Sequence, residues 1–246
     1  MKHLNKYSAF KETSIKLRNT EFKLLGNIKV SSFNYPLFKI DINKRVAIPS
    51  ICLSAAIHGN EPSGVTGMLN WLNQNNYNNS INYKLFPIVN PFGYNFSRRT
   101  NHNRVNLNRE FNKKNPQKEI KLIKKDLHKN QFDIFISFHE NNTKEKEDFY
   151  IYSYPSKDSI KFSKFILNGI SNIAKIDKRK EIDGYSVQNG LIIDDMESSF
   201  EFFMGNNSTK SSICVEIPSK ISIITRTEIA YYIIQLSEMY LSKTFL

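Results

Sequence analysis

Short runs rich in Ile, Val and Phe recur along this chain, separated by longer amphipathic stretches, and that alternation is what an α/β fold writes into its sequence. Ser50-Ile-Cys-Leu-Ser-Ala-Ala-Ile57 reads as a buried strand, followed by a helix beginning near Glu61-Pro62, where the missing N–H of Pro62 suits a first helical turn. Lys84-Leu-Phe-Pro-Ile-Val-Asn90 is a further strand candidate in which Pro87 predicts a break or an edge position. Phe132–Phe138 and Ser211–Ile217 read as two more buried strands, and Arg226–Leu241 carries apolar residues at helical spacing. The 246 residues, 40% of them hydrophobic, suffice for one core, and no repeat or linker divides them. A single domain over 1–246 is expected, with a mixed central sheet flanked by helices.

The formal charge of +12 comes largely from lysines spread along the chain. Without an Arg-rich module interleaved with aromatics, that pattern predicts a solvated basic surface and no nucleic-acid site. It could also attract substrates that carry several carboxylates. No secretory signal pattern opens the chain and no window has the apolar length of a membrane span, so no membrane partner is expected and the default location is the cytoplasm. Cys52 and Cys214 sit in apolar runs and are expected to be buried, reduced thiols.

Chemistry gathers where the apolar runs end. His58-Gly-Asn-Glu61 follows one strand directly, and a strand-to-helix turn there can aim an imidazole and a carboxylate at one point. Both are good zinc ligands, but a catalytic site needs a third and an open position for water. On spacing alone a polar turn, with His58 incidental, is the favoured reading. His139 follows a second buried strand, in Ile136-Ser-Phe-His-Glu140, and in an open α/β sheet ligands gather beyond the carboxyl ends of strands. His3, His102 and His128 lack this placement and are expected to be exposed. Glu216 lies within the apolar run Ile213-Cys-Val-Glu-Ile-Pro218, where an unpartnered carboxylate is costly. A metal or a proton-transfer role would supply the reason, and partial desolvation would raise its pKa. The long polar segment from Asn90 to Asn115 contains Asn90-Pro-Phe-Gly93, Arg98-Arg99 and Val105-Asn-Leu-Asn-Arg109. A segment of that length is either functional or disordered, and its arginines can grip a carboxylate with two parallel hydrogen bonds.

Taken in order, His58-Gly-Asn-Glu61, Asn90-Pro-Phe-Gly93, Arg99, Asn108-Arg-Glu-Phe111, His139 and Glu216 resemble the zinc carboxypeptidase family from about residue 50 to residue 218. The Val-Asn-Leu-Asn-Arg pattern and short chain resemble the small bacterial murein-peptide amidases and carboxypeptidases. The His-Gly-Asn-Glu wording is similar to the succinylglutamate desuccinylase and aspartoacylase branch. The resemblance implies one Zn2+ ion on His58, Glu61 and His139, with Glu216 activating water and returning its proton to the leaving amine. It implies that Arg99 stabilises the oxyanion and that Asn108 and Arg109 bind the substrate carboxylate. The expected activity is hydrolysis of an amide beside a free carboxylate in a small peptide, with a cell-wall peptide as the leading candidate. The alternatives are an N-acyl amino acid deacylase and a non-catalytic binding protein that kept the fold.

Two departures from the family pattern stand out. Asn106 replaces an aspartate that orients the first zinc histidine; its amide oxygen can accept the imidazole N–H without adding charge, which predicts weaker zinc binding. No substrate-capping tyrosine lies in Ser198-Ser-Phe-Glu-Phe-Phe203, and Tyr185 is a distant candidate.

Overall fold

A computed structural model describes residues 2–75, 77–141 and 148–244. The chain opens with helix α1 (Lys2–Lys16) and the long hairpin of β1 (Thr20–Val30) and β2 (Phe33–Ile42), then passes through β3 (Ser50–Ala55), α2 (Ser63–Gln74) and β4 (Asn82–Phe86). The polar segment follows, containing the short helix α3 (Pro91–Phe96) and a 3-10 turn at Leu107–Arg109. Next come α4 (Lys118–Leu127), β5 (Phe132–Asn141), β6 (Tyr150–Ser153) and α5 (Lys157–Ile170). The small β7 (Glu181–Ile182) and β8 (Tyr185–Ser186) precede β9 (Leu191–Ile193), α6 (Phe200–Asn207), β10 (Thr209–Pro218) and α7 (Ile223–Thr244).

Among the described residues, eight strands form one mixed sheet in the order β1-β2-β4-β3-β5-β10-β6-β9, and β7 and β8 pair separately. The middle four, β4-β3-β5-β10, are parallel, while β2 meets β4 and β6 meets β10 antiparallel. From β3 the chain goes to β4 on one side and then to β5 on the other. The strand order therefore reverses at β3/β5, the point at which an open α/β sheet leaves a crevice at its carboxyl end.

Alternation along the central strands divides the core. Ile51, Leu53, Ile134, Ile136, Ile213 and Val215 join the larger cluster, which also takes in Val65 and Met68 of α2, Ile166 of α5 and Ile233 of α7. Cys52 and Phe135 join the second, with Ile120 and Ile123 of α4 and Phe200 and Met204 of α6. The same period of two sends Ser137, His139, Cys214 and Glu216 away from the larger cluster, towards the side on which α6 packs.

Several sequence expectations change in detail. β5 continues to Asn141, so His139 belongs to the strand, where it pairs with Glu216 across the parallel ladder. Pro87 ends β4 as expected, but β4 lies inside the sheet, between β2 and β3. The polar segment is ordered around the buried side chains of Tyr94, Leu107 and Phe111. His3 is fully buried, with Nε2 bonded to the carbonyl of Pro36 at 2.9 Å, and burial pushes its pKa down to about 4. His102 is half-buried and His128 is exposed. Both cysteines are free and buried. Among the described residues, no helix is long and apolar enough to cross a membrane.

Candidate metal and active site

The His58-Gly-Asn-Glu61 turn is built against a second motif. A Cβ on Gly59 would lie 1.9 Å from the carbonyl carbon of Gly93 and 2.1 Å from the nitrogen of Tyr94, so the turn and α3 meet backbone to backbone. Asn90 ties them together, its Oδ1 accepting from Gly93 N at 2.8 Å and its backbone N–H bonding to Ala56 O at 2.9 Å. Pro62 becomes the residue flanking α2, and the cap is supplied from another strand: Glu140 accepts from Ser63 N at 2.6 Å. Arg226 of α7 pairs with the other oxygen of Glu140.

The structure brings His58, Glu61 and His139 together, all three buried. His58 Nδ1 lies 2.9 Å from Glu61 Oε1, His139 Nδ1 lies 3.0 Å from Glu61 Oε2, and the two Nδ1 atoms are 3.2 Å apart. Each outer nitrogen faces an acceptor, His58 Nε2 meeting Asn106 Oδ1 at 3.0 Å and His139 Nε2 meeting Glu201 Oε1 at 3.2 Å. Those acceptors place the ring protons on Nε2 and leave the Nδ1 lone pairs facing inward. Glu61 Oε2 is buried without a hydrogen bond. Inward-facing lone pairs at such separations repel unless a cation sits among them. A tetrahedral ion with bonds of ~2.0–2.1 Å spaces its ligand atoms about 3.3 Å apart, close to what these three show. The residues fit a divalent metal. Without a metal, burial would raise the pKa of Glu61, but the positive charge and hydrogen bonds of the imidazoles in their protonated form hold it far below the carboxylate range. Burial likewise lowers the pKa of His58.

Glu216 neighbours this trio but is not part of it. It sits across from His139 on β10, and both line a cavity of about 440 Å3. Its Oε1 accepts from Cys214 Sγ at 3.8 Å. Burial dominates and raises its pKa to about 8, against the opposing pull of His139. Arg99 reaches the same cavity and donates from Nη1 to Glu61 Oε1 at 3.1 Å. Arg109 is exposed on the cavity wall, with Nη1 donating to Asn108 O at 2.8 Å. Asn108 is more constrained than its motif suggests: its Oδ1 accepts from Phe200 N at 2.9 Å and its Nδ2 donates to Glu201 Oε2 at 3.1 Å.

The cavity also gathers Tyr185, the distant capping candidate, and residues to which the sequence reading gave no role. Glu201 is one; a carboxylate set among aromatics in Phe200-Glu-Phe-Phe203 carries the same signal that singled out Glu216. Burial would raise its pKa, but the hydrogen bond from His139 holds it down to about 2. Tyr152 and Tyr185 face one another across 5.8 Å between ring centres, and both line the cavity. Tyr185 arrives on the β7–β8 hairpin. Asp183, Asp194, Asp195 and Glu197 line the cavity as well, all but the half-buried Asp194 exposed. Thus acidic side chains share the cavity with Arg99 and Arg109.

The mixed sheet with its topological switch is a carboxypeptidase-like fold, and the cluster of His, Glu and His at its carboxyl end is a candidate metal site. Residues 47–167 of the chain match the succinylglutamate desuccinylase/aspartoacylase catalytic domain. Among solved structures it is similar to a protein of Shewanella amazonensis designated a metallopeptidase, at 23% identity over 95% of this chain and 91% of that one, with a TM-score of 0.82. A counterpart from Shewanella denitrificans is 25% identical over 94% of this chain and 87% of the other, with a TM-score of 0.79. A metallo-carboxypeptidase of Pseudomonas aeruginosa, in complex with (2-guanidinoethylmercapto)succinic acid, shares the fold at 11% identity, covering 97% of this chain and 68% of that one with a TM-score of 0.75. No curated protein sequence matches the chain. These likenesses support a hydrolase of the zinc carboxypeptidase kind.

Proposed function

We propose that the protein hydrolyses the amide bond next to a free carboxylate in a small peptide, using one zinc ion held by His58, Glu61 and His139. The observation that carries this reading is the half-buried Glu216 carboxyl, set beside His139 in an otherwise apolar strand and opening onto the same cavity. When bound, zinc supplies Lewis-acid activation of water and of the scissile carbonyl. Glu216 takes a proton from the attacking water at its carboxylate oxygen and delivers it to the departing amine. Its partly desolvated setting suits both steps, because it tunes the carboxyl towards neutral pH. Arg99 brings positive charge to the developing oxyanion. Arg109, exposed on the cavity wall, receives the substrate carboxylate through its paired N–H groups. Tyr185, whose ring meets that of Tyr152 edge to face, covers bound substrate.

The charge around the cavity favours a peptide over the deacylase substrate. Arginines and carboxylates share the cavity, Arg99 and Arg109 with Asp183, Asp194, Asp195 and Glu197. That mixture suits a ligand bearing both a carboxylate and an amino group. An N-acyl diacid carries only negative charge and meets repulsion from the acidic side chains. The deacylase remains the second reading because residues 47–167 match a desuccinylase/aspartoacylase domain.

A panel of N-acetyl-aspartate, N-succinyl-glutamate and γ-D-glutamyl-diaminopimelate peptides separates the readings. Release of a C-terminal amino acid from the peptides alone is the expected result; turnover of the N-acyl amino acids alone would establish the deacylase. If the zinc-loaded protein and its Glu216→Gln variant are equally inert across the panel, the binding-protein alternative takes over. On the preferred substrate, Arg109→Ala is expected to raise KM about tenfold or more, since a charge-assisted hydrogen-bond pair is lost. An unchanged KM would remove Arg109 from the carboxylate site.

A further inference from the structure

The two histidines of the metal trio are supported from behind by different groups. His58 Nε2 meets a neutral amide, Asn106 Oδ1, at 3.0 Å, whereas His139 Nε2 meets a carboxylate, Glu201 Oε1, at 3.2 Å. Glu201 is wholly buried near the start of α6. A carboxylate in that position is costly unless it is paired and hydrogen-bonded. It is both. Its second oxygen accepts from Asn108 Nδ2 at 3.1 Å, while the backbone carbonyl of Glu201 accepts from Ser212 Oγ at 2.8 Å and anchors the residue. Asn108 is in turn fixed by Phe200 N, which donates to its Oδ1 at 2.9 Å. Beneath them Phe111 stacks on Phe200 with ring centres 4.4 Å apart, joining the Asn108-Arg-Glu-Phe111 motif to α6.

We propose that Glu201 is the positioning residue for the metal-binding His139, held in place by Asn108, so that the anionic support of the metal centre enters through His139 rather than through His58. The inference rests on the reading that His58, Glu61 and His139 bind a divalent cation. A carboxylate behind an imidazole fixes its tautomer, aims its free nitrogen and raises its basicity; an amide fixes and aims it without the charge. With Asn106 in the place of an aspartate, Glu201 supplies what His58 lacks. Asn108 then acts through Glu201, because both polar ends of its side chain are already engaged. This leaves Arg109 as the member of the pair that is open to substrate.

A rival use of the same atoms exists. Cys214 lies with His139 and Glu201 in a second donor cluster, which could take an ion of its own if His139 Nε2 carried no proton. The test therefore measures both metal affinity and protonation. Metal-free protein is titrated with Zn2+ against a competing chelator for the wild type, Glu201→Gln, Asn106→Asp and the double variant, with thermal melting of each metal-free protein as the control for folding. Glu201→Gln is expected to weaken zinc binding about ten- to a hundredfold, and adding Asn106→Asp to recover much of that loss by returning a carboxylate behind a ligand histidine. In the zinc-loaded wild type, NMR of the His139 ring is expected to show a hydrogen-bonded proton on Nε2 that shifts upfield in Glu201→Gln.

An affinity for Glu201→Gln within about twofold of the wild type would overturn the proposal. So would an unprotonated His139 Nε2 in the wild type, a result that needs no variant to fold. Two ions per chain, with a thiolate charge-transfer band on cobalt loading, would assign Glu201 to a second metal instead. A wild type that binds no divalent cation defeats the functional reading as a whole, whereas tight binding of one ion that is indifferent to Glu201 defeats this inference alone.

Discussion

Glu216→Gln is expected to lower kcat by about 10²–10⁴-fold, the usual worth of a positioned general base, while zinc affinity stays within about threefold of the wild type. Glutamine fills the same space but cannot accept the proton of the attacking water. Affinity is retained because Glu216 stands beside the trio of donor atoms rather than within it. Steady-state kinetics on the preferred substrate and chelator competition check the two halves; equal loss of affinity and turnover would make Glu216 a ligand instead.

The same residue sets the sign of two pH effects. Its pKa in the metal-free protein is raised from the ordinary 4.5 to about 8, chiefly by burial. Only the carboxylate can act as base, so activity is expected to fall as pH drops through that pKa. A bound cation favours the carboxylate, and the acidic limb of kcat/KM should therefore lie below pH 8 but above the ordinary carboxylate value. For stability, the folded metal-free state holds this proton after the unfolded chain has released it. The contribution is full below pH 4.5 and is lost as pH rises through about 8. Glu216→Gln should remove that loss, so the metal-free variant should melt above the wild type at alkaline pH and close to it in acid.

Gly59→Ala is expected to be the most damaging methyl group that can be added near the site. Its Cβ would fall 1.9 Å from one backbone atom and 2.1 Å from another, in the segment Gly93–Tyr94. Backbone capped by Asn90 cannot turn aside as a flexible side chain can. The structure can relieve the clash only by parting the His58 turn from α3, which also moves His58 and Glu61. A loss above ~3 kcal/mol is expected, which at this chain length lowers the melting temperature by on the order of 10 °C. Zinc affinity should fall at least about tenfold with it, because ligand geometry is set by that turn. Melting within about 2 °C of the wild type would mean that the two segments yield more readily than their packing indicates.

Much of the fold and part of the site could be read along the chain, for local reasons. Apolar runs bounded by polar turns identify β3, β5 and β10, and their period of two places Cys214 and Glu216 opposite Ile213 and Val215. A charged side chain inside such a run needs a reason, and that logic found Glu216. Applied to Phe200-Glu-Phe-Phe203, it would have found Glu201 too, though not what Glu201 touches, since its partners lie 62 and 93 residues away in the chain. Tyr185 stands outside the helix-and-strand motifs that carry the family pattern, and only the β7–β8 hairpin carries it to the cavity. His3 looked exposed because nothing in its neighbours reveals that α1 is laid against the hairpin of β1 and β2.

The sequence by itself determined the class of fold and the strands whose ends hold chemistry, because periodicity is a property of short windows; it offered His58, Glu61 and His139 as candidate donors only through the resemblance of the ordered motifs. The tertiary structure alone decided which nitrogen of each histidine turns inward, which acceptor stands behind it, and that acidic side chains share the cavity with the two arginines. Those features depend on strands and helices far apart in the chain meeting at one point, and no local pattern records such a meeting. The candidate trio was thus named from the sequence, whereas the contacts of His139 with Glu201 and of Glu201 with Asn108 come from the packing of α6 against the sheet.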